Sequence, residues 1–270
     1  MQTARSRSLI TAIIALALLA MWPSNLLAAD ALTWQEKEAF LLKAKPTKTT
    51  ESKKGVTGTS VVTLSDGVLT HDASVQTIDV SKPIFLGEVN FKDTYRFNIA
   101  GWKLARLLGL EDMVPPSVRR SFKGNDASYT WWVSDVKMDE FAMRAKGVSA
   151  PNMATWLQEY AVVHVFDQLI YNMDRNQTNI LVGSDWRIWM IDHGRAFRVH
   201  KTLKDPAALT QIDRNLLAAL KTLDEPMLRK EFGNLVSRSE IQGLLARRDL
   251  IVKYFEAKGD SAIFTRPARP

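Results

Sequence analysis

Two short stretches hold the side chains best suited to chemistry. They are Asp174-Arg175-Asn176-Gln177-Thr178-Asn179 and, thirteen residues beyond Asn179, Asp192-His193-Gly194. Asp174, Asn179 and Asp192 offer two carboxylates and an amide oxygen. These are hard ligands that suit Mg²⁺ or Mn²⁺ carrying a polyphosphate, and they suit zinc less well. Phosphoryl transfer asks for such a set: one carboxylate orients or deprotonates an attacking hydroxyl, another holds metal across the phosphates, and an amide holds a second ion. Taken singly, each residue reads as an Asp/Asn turn capping local backbone, and only the joint spacing lifts them above that. Other chemistries lack their residues. The 270-residue chain has no cysteine, which excludes disulfides, thiolate metal sites and a cysteine nucleophile. Ser60, Ser65 and Ser128 have no nucleophile-elbow setting, and the four histidines are too dispersed for a zinc site.

The elements that must position these residues follow from periodicity. Trp156, Tyr160, Val163, Phe166, Leu169 and Ile170 form one stripe, which predicts a helix from about Met153 to Asn172 that delivers the first stretch. Ile180–Val182 and Trp186–Ile191 read as strands joined at Gly183-Ser184-Asp185, so Asp192 leaves the second strand of a hairpin. Upstream, Ser65-Asp66-Gly67 between extended runs predicts another hairpin. A mostly buried helix is expected from Tyr95 to Leu110, then strands from Val118 and over Tyr129–Val133 around a turn at Lys123–Asp126. Downstream, helices are expected over Thr210–Thr222, Pro226–Val236, Ser239–Ala246 and Asp249–Ala257. The fold class is α+β. Residues 1–29 read as a signal peptide or anchor, 30–54 as a helix and linker, 55–134 as a small mixed unit, 135–260 as a mainly helical unit and 261–270 as a frayed tail.

Charge narrows the partners. Lys plus Arg is 36 against 29 for Asp plus Glu, a formal net charge of +7. The basic clusters, Lys43–Lys54 and Arg247–Arg248, do not interleave with aromatics, which disfavours nucleic acid as a partner. Arg5 and Arg7 precede an apolar run from Leu9 to Trp22, followed by Pro23-Ser24-Asn25 and Leu26-Leu27-Ala28-Ala29. That is the layout of a secretory signal, with an apolar run too short for a comfortable membrane span. The expectation is an exported protein of the periplasm or cell envelope. Leu27 departs from the small residue wanted before a cut after Ala29, so an uncleaved N-terminus that anchors the chain to a membrane is the rival, and a buried N-terminal helix is a third reading.

The wording FDQLIYNMDRNQTNIL followed by WMIDHGRAF resembles the catalytic loop and metal-binding Asp-Phe-Gly of the protein kinase-like superfamily. It is most similar to the atypical branches: HipA-like kinases, phosphoinositide-kinase-like proteins and the atypical kinases of the secretory pathway. The match is clearest over 160–198. The resemblance implies a two-lobe fold over about 55–257, with a small mixed N-lobe built on an antiparallel sheet and a mainly helical C-lobe. It implies Asp174 as the catalytic carboxylate, with Arg175 or Asn176 organising its loop, and Asn179 and Asp192 as ligands of Mg²⁺ or Mn²⁺. ATP or another nucleoside triphosphate would be the donor. The acceptor would be a hydroxyl on a protein, lipid, sugar or small molecule. His193 stands where the superfamily has Phe.

The resemblance also implies a strand lysine for the phosphates, paired with a helix glutamate. Gln76 and Asn98 fall at those places. A neutral amide pair cannot make an ammonium's Coulomb contact with phosphate, so Lys82, Lys92 or Lys123 is expected to reach in from elsewhere. Gly55 and Gly58, within Lys54–Ser60, are expected to form a phosphate-covering turn. Export and routine ATP use stand in tension, because ATP is scarce outside a bacterial cytoplasm. Three readings therefore stand: an exported kinase, a catalytically reduced pseudokinase-like protein that binds nucleotide or metal, and a structural envelope protein without ligand.

Overall fold

The computed structural model describes residues 29, 31–51, 59–85 and 87–267. Residues 1–28 of the segment expected to direct export, and Gly55 and Gly58, lie outside the described residues. Among the described residues no helix is long and apolar enough to cross a membrane.

Helix α1 (Trp34–Lys43) starts at a capping box in which Thr33 and Glu36 satisfy each other's backbone N–H. Five strands follow: β1 (Lys45–Glu51), β2 (Ser60–Ser65), β3 (Thr70–Gln76), β4 (Asp79–Phe85) and β5 (Glu88–Thr94). Helix α2 (Tyr95–Leu107) precedes β6 (Ser117–Phe122) and β7 (Asn125–Trp131). The main sheet runs β1-β2-β3-β7-β6 with every pair antiparallel, and β4 and β5 form a separate hairpin. The expected turn joins β2 to β3: Asp66 Oδ1 accepts from the backbone N–H groups of Val68 and Leu69, and Gly67 takes a φ of +94°. In β2, Ser60, Val62 and Leu64 alternate inward. Val62 and Leu64 meet Phe40 and Leu41 of α1 and Val75, Tyr129 and Trp131 in one core.

Residues 45–51 correct the linker expectation, because they form β1, exposed along its whole length. Its threonines favour extended backbone, and its lysines blunt an edge strand against pairing with other chains. The same composition resembles a linker when read without the neighbouring strand.

Helix α2 lies between β5 and β6 in the chain but buries Phe97, Trp102 and Leu104 in the larger core of the C-terminal region. That region holds β8 (Val136–Asp139), α3 (Glu140–Ala145), α4 (Met153–Ile170), β9 (Ile180–Gly183) and β10 (Ile188–Met190), with β10-β9-β8 as a small antiparallel sheet. It continues through β11 (Ile212–Asp213), α5 (Arg214–Thr222), α6 (Glu225–Phe232), α7 (Arg238–Lys258) and β12 (Ile263–Phe264). The product is a mixed α/β domain with an antiparallel N-terminal sheet and a mainly helical C-terminal region.

Two expectations for the C-terminal region change. The two helices expected over 239–257 are one, because Arg247 is fully buried and donates to the carbonyls of Leu169, Arg198 and His200. The expected frayed tail is docked through Pro267: β12 pairs parallel with β11, and Arg266 donates to both carboxylate oxygens of Asp112 at 2.8 and 2.9 Å.

Candidate functional site

Helix α4 ends at Tyr171, whose left-handed φ of +50° turns the chain out of the helix. Asn172 then pins the turn, donating to Asp167 Oδ1 at 2.9 Å and accepting from the Asp174 N–H at 3.0 Å. Arg175 completes the loop. Its Nε and Nη2 fork onto the Asp167 carboxylate at 2.9 and 3.1 Å. Its Nη1 donates to the carbonyls of Asn179 (2.9 Å) and Ile191 (2.7 Å). Arg175 thus ties the end of α4, the loop and the exit of β10 together, and all three of its nitrogens are engaged by the protein. Asn179 is buried, and its Nδ2 donates to the Asp174 carbonyl at 3.1 Å. Its Oδ1 accepts no hydrogen bond among the described residues.

Asp192 sits at a φ of +56°, uncommon for a residue other than glycine. Burial pushes its carboxyl above the ordinary carboxylate range. The Gly194 N–H opposes the rise, the negative charges of Asp93 and Asp174 add to it, and Arg175 offsets part of it. Gly194 separates two of these carboxylates: a Cβ there would lie 3.0 Å from Asp93 Oδ1 and 3.4 Å from Asp192 Oδ1. Arg195 Nε donates to Asp93 Oδ2 at 2.8 Å, and its Nη1 lies 3.5 Å from Asp174 Oδ2. One guanidinium therefore links the end of β5 to the loop after α4.

The sheet side is neutral. Asn98 of α2 donates to Gln76 Oε1 of β3 at 2.6 Å, and Gln76 Nε2 donates to Thr59 Oγ1 at 3.4 Å. Asn98 Oδ1 accepts from the His193 N–H at 2.7 Å, and the Thr94 N–H donates to the Gly194 carbonyl at 3.0 Å. The segment from Asp192 to Arg195 is thus held from both sides. The His193 ring lies against α2 where it meets Gly101; a Cβ there would come within 3.0 Å of His193 Cγ. The ring also meets Phe166 edge to face, and its Nε2 has no hydrogen-bond partner among the described residues. Burial holds its pKa well below the ordinary histidine value.

Asp174, Asn179 and Asp192 share this region, and Gln76 and Asn98 touch. Lys82 and Lys123 do not join them. Lys82 Nζ lies 4.1 Å over the Phe85 ring, on a hairpin that is its own sheet, and Lys123 sits in the β6–β7 turn, 5.2 Å over Phe122. Lys92 pairs with Glu240 at 2.5 Å. The cation at the carboxylates is Arg195. Neither Arg195 nor Asp93 is singled out in the sequence. Their signals were adjacency to Gly194 and to the helix-capping Thr94, but the two lie 102 residues apart. Trp131 belongs to the sheet core, whereas Trp132 is exposed.

Among the described residues no group of three or more His, Asp or Glu side chains converges to hold a metal ion. Asp192 and Asn179 supply two hard oxygen donors. That set fits Mg²⁺ or Mn²⁺, which bind through one or two carboxylates and complete their shell with water and substrate phosphates.

No family model matches the chain, and no curated protein matches it. Among solved structures it has a weak, distant likeness to the proinflammatory kinase CtkA of Helicobacter pylori. The two are 15% identical with a TM-score of 0.46, over 79% of this chain and 93% of that one.

Proposed function

We propose that the protein is an exported kinase-like phosphotransferase that moves a phosphoryl group from a nucleoside triphosphate to a hydroxyl. One observation supports the reading: Arg175, next to Asp174, donates to Asp167 of α4 and to the backbone carbonyls of Asn179 and Ile191, which fastens the loop that carries Asp174 and Asn179 to the residue before Asp192. Asp174 orients the acceptor and takes its proton as the acceptor oxygen bonds to the terminal phosphorus. The bond from that phosphorus to the bridging oxygen breaks, and the nucleoside diphosphate leaves. Asn179 and Asp192 would hold Mg²⁺ or Mn²⁺, which when bound neutralises charge on the phosphates. Arg195 must release Asp174 before that carboxylate can accept a proton, and the freed guanidinium is then available to the phosphates that Gln76 cannot neutralise. The acceptor class, protein, lipid, sugar or small molecule, is open to assay.

Calorimetric titration of Mg²⁺–ATP tests the reading. Asp192→Ala is expected to abolish metal-dependent nucleotide binding, while Asp174→Asn keeps binding and lowers turnover by about 10²-fold or more. Equal nucleotide affinity in wild type and Asp192→Ala at matched free Mg²⁺ would overturn the assignment. A second reading, a catalytically reduced member of the same fold, is favoured by the uncharged Gln76–Asn98 pair. It predicts Mg²⁺-dependent nucleotide binding with no transfer to any acceptor.

A further inference from the structure

The backbone around Arg195 is fixed from both regions. The Thr94 N–H donates to the Gly194 carbonyl at 3.0 Å, and the Met173 N–H donates to the Arg195 carbonyl at 3.1 Å. The side chain is held unevenly. Its Nε donates to Asp93 Oδ2 at 2.8 Å, and that carboxylate is buried, with Oδ1 packed against Gly194. The guanidinium carbon lies 5.7 Å from the centre of the Phe91 ring, which walls off one side. At the other end, Nη1 is 3.5 Å from Asp174 Oδ2, and Nη2 meets no acceptor among the described residues. The Arg195 and Asp174 side chains are 35% and 45% exposed. So long and exposed an ion pair is weak, whereas a short charged hydrogen bond to a buried carboxylate is strong. The guanidinium is therefore anchored at Nε and loose at its tip.

That tip lies where a phosphotransferase needs charge. If Asp174 takes the proton of the attacking hydroxyl, that oxygen sits about 3 Å from its carboxylate. In a reactive pose the terminal phosphorus stands about 3–3.5 Å beyond the same oxygen. A guanidinium tip beside Asp174 reaches the terminal phosphoryl oxygens by turning about its Asp93 anchor. The Gln76–Asn98 pair brings no charge to any phosphate.

We infer, on the basis of the phosphotransferase reading, that Arg195 is the specificity-determining contact for the donor's terminal phosphoryl group and that Asp93 is its positioning residue. The contact selects a nucleoside triphosphate. The diphosphate product lacks the terminal group, gives up the contact and leaves more readily. Asp93 touches no substrate and acts through Arg195 alone.

The test compares Mg²⁺–ATP with Mg²⁺–ADP by calorimetry on the full chain, at matched free Mg²⁺ and ionic strength. Wild type is expected to bind ATP more tightly than ADP. Arg195→Gln is expected to weaken ATP binding about tenfold or more and ADP binding by less than about twofold. Asp93→Asn is expected to lower the ATP:ADP affinity ratio in the same direction. Combining the two should lower it no further than Arg195→Gln alone, because Asp93 adds nothing once the guanidinium is gone. A role in stability alone would lower the melting temperature and leave the ratio at its wild-type value. Arg195→Gln by itself strands a buried carboxylate; should it fail to fold, the double variant removes both charges and reads the same ratio. An unchanged ratio in these variants, with Mg²⁺-dependent ATP binding intact in wild type, overturns the inference and leaves the phosphotransferase reading standing. An unchanged ratio in Asp93→Asn alone overturns its positioning role. No Mg²⁺-dependent nucleotide binding in wild type overturns both the reading and the inference.

Discussion

Asp192 is held against its own charge. Its folded pKa lies above the unfolded value, so its contribution to stability is present below the ordinary carboxylate pKa and is lost as pH rises through the raised one. In metal-free buffer at neutral pH, Asp192→Asn should melt higher than wild type, with the gap closing as the medium is acidified toward that range. A lower melting point at neutral pH would mean that the carboxylate is not strained by burial. The Gln76–Asn98 pair allows a double-mutant cycle. Gln76→Lys alone buries an unanswered cation and should cost about 3–5 kcal/mol in denaturant melts. Adding Asn98→Glu should recover most of that loss, because the introduced carboxylate can answer the lysine and still accept from the His193 N–H. Additive losses would mean that the two positions do not form one unit. Both residues were put forward as an amide pair in place of charges by the resemblance to the kinase-like superfamily, which implies a lysine and a glutamate at their positions. Asp93 and Arg195 were not, because nothing local ties together side chains that meet only after the chain has folded across both regions.

At the scale of elements, α2 and the Asp-His-Gly segment are fitted to each other through Gly101 and the His193 ring. A buried imidazole with a depressed pKa stays neutral in the fold, while the unfolded chain takes up a proton below about 6.5. The unfolded state then binds more protons, so stability falls as pH drops below that value. His193→Phe should flatten this part of the stability–pH curve, whatever it does to stability at neutral pH. An unchanged slope, measured by urea melts at several pH values, would remove His193 as its source. The helices read from the sequence kept their places where one apolar stripe ran unbroken, as in α4. Reading failed where a polar residue does internal work. Arg247 looked like a break between two helices, yet it lies within one, and its guanidinium satisfies three backbone carbonyls outside that helix, those of Leu169, Arg198 and His200. The strand β1 failed for the opposite reason, since an edge strand with no buried face shows no alternation to read.

The described residues form two apolar cores, one under α1 and the sheet and one in the helical region, and α2 belongs to the second. The C-terminal segment locks the helical region from outside. Arg266→Ala removes a two-pronged charged hydrogen bond to Asp112 and should lower stability by about 1.5–3 kcal/mol. The check is the urea midpoint at constant slope, and an unmoved midpoint would mean that the tail rests on the surface without bracing it. The grip of α2 on its surroundings mixes charged and uncharged contacts. Toward α6, Lys103 and Arg106 hold Glu231 at 3.2 and 2.5 Å, in partly exposed ion pairs. Toward the strands, the uncharged Asn98–Gln76 bond is joined by a partly exposed ion pair of Arg96 with Asp79 of β4 at 3.0 Å. Dissolved salt screens the ion pairs and leaves the amide bond nearly untouched. The electrolyte around the molecule therefore slackens the charged clasps on both flanks of α2, while its apolar face and the amide latch to β3 keep the helix seated.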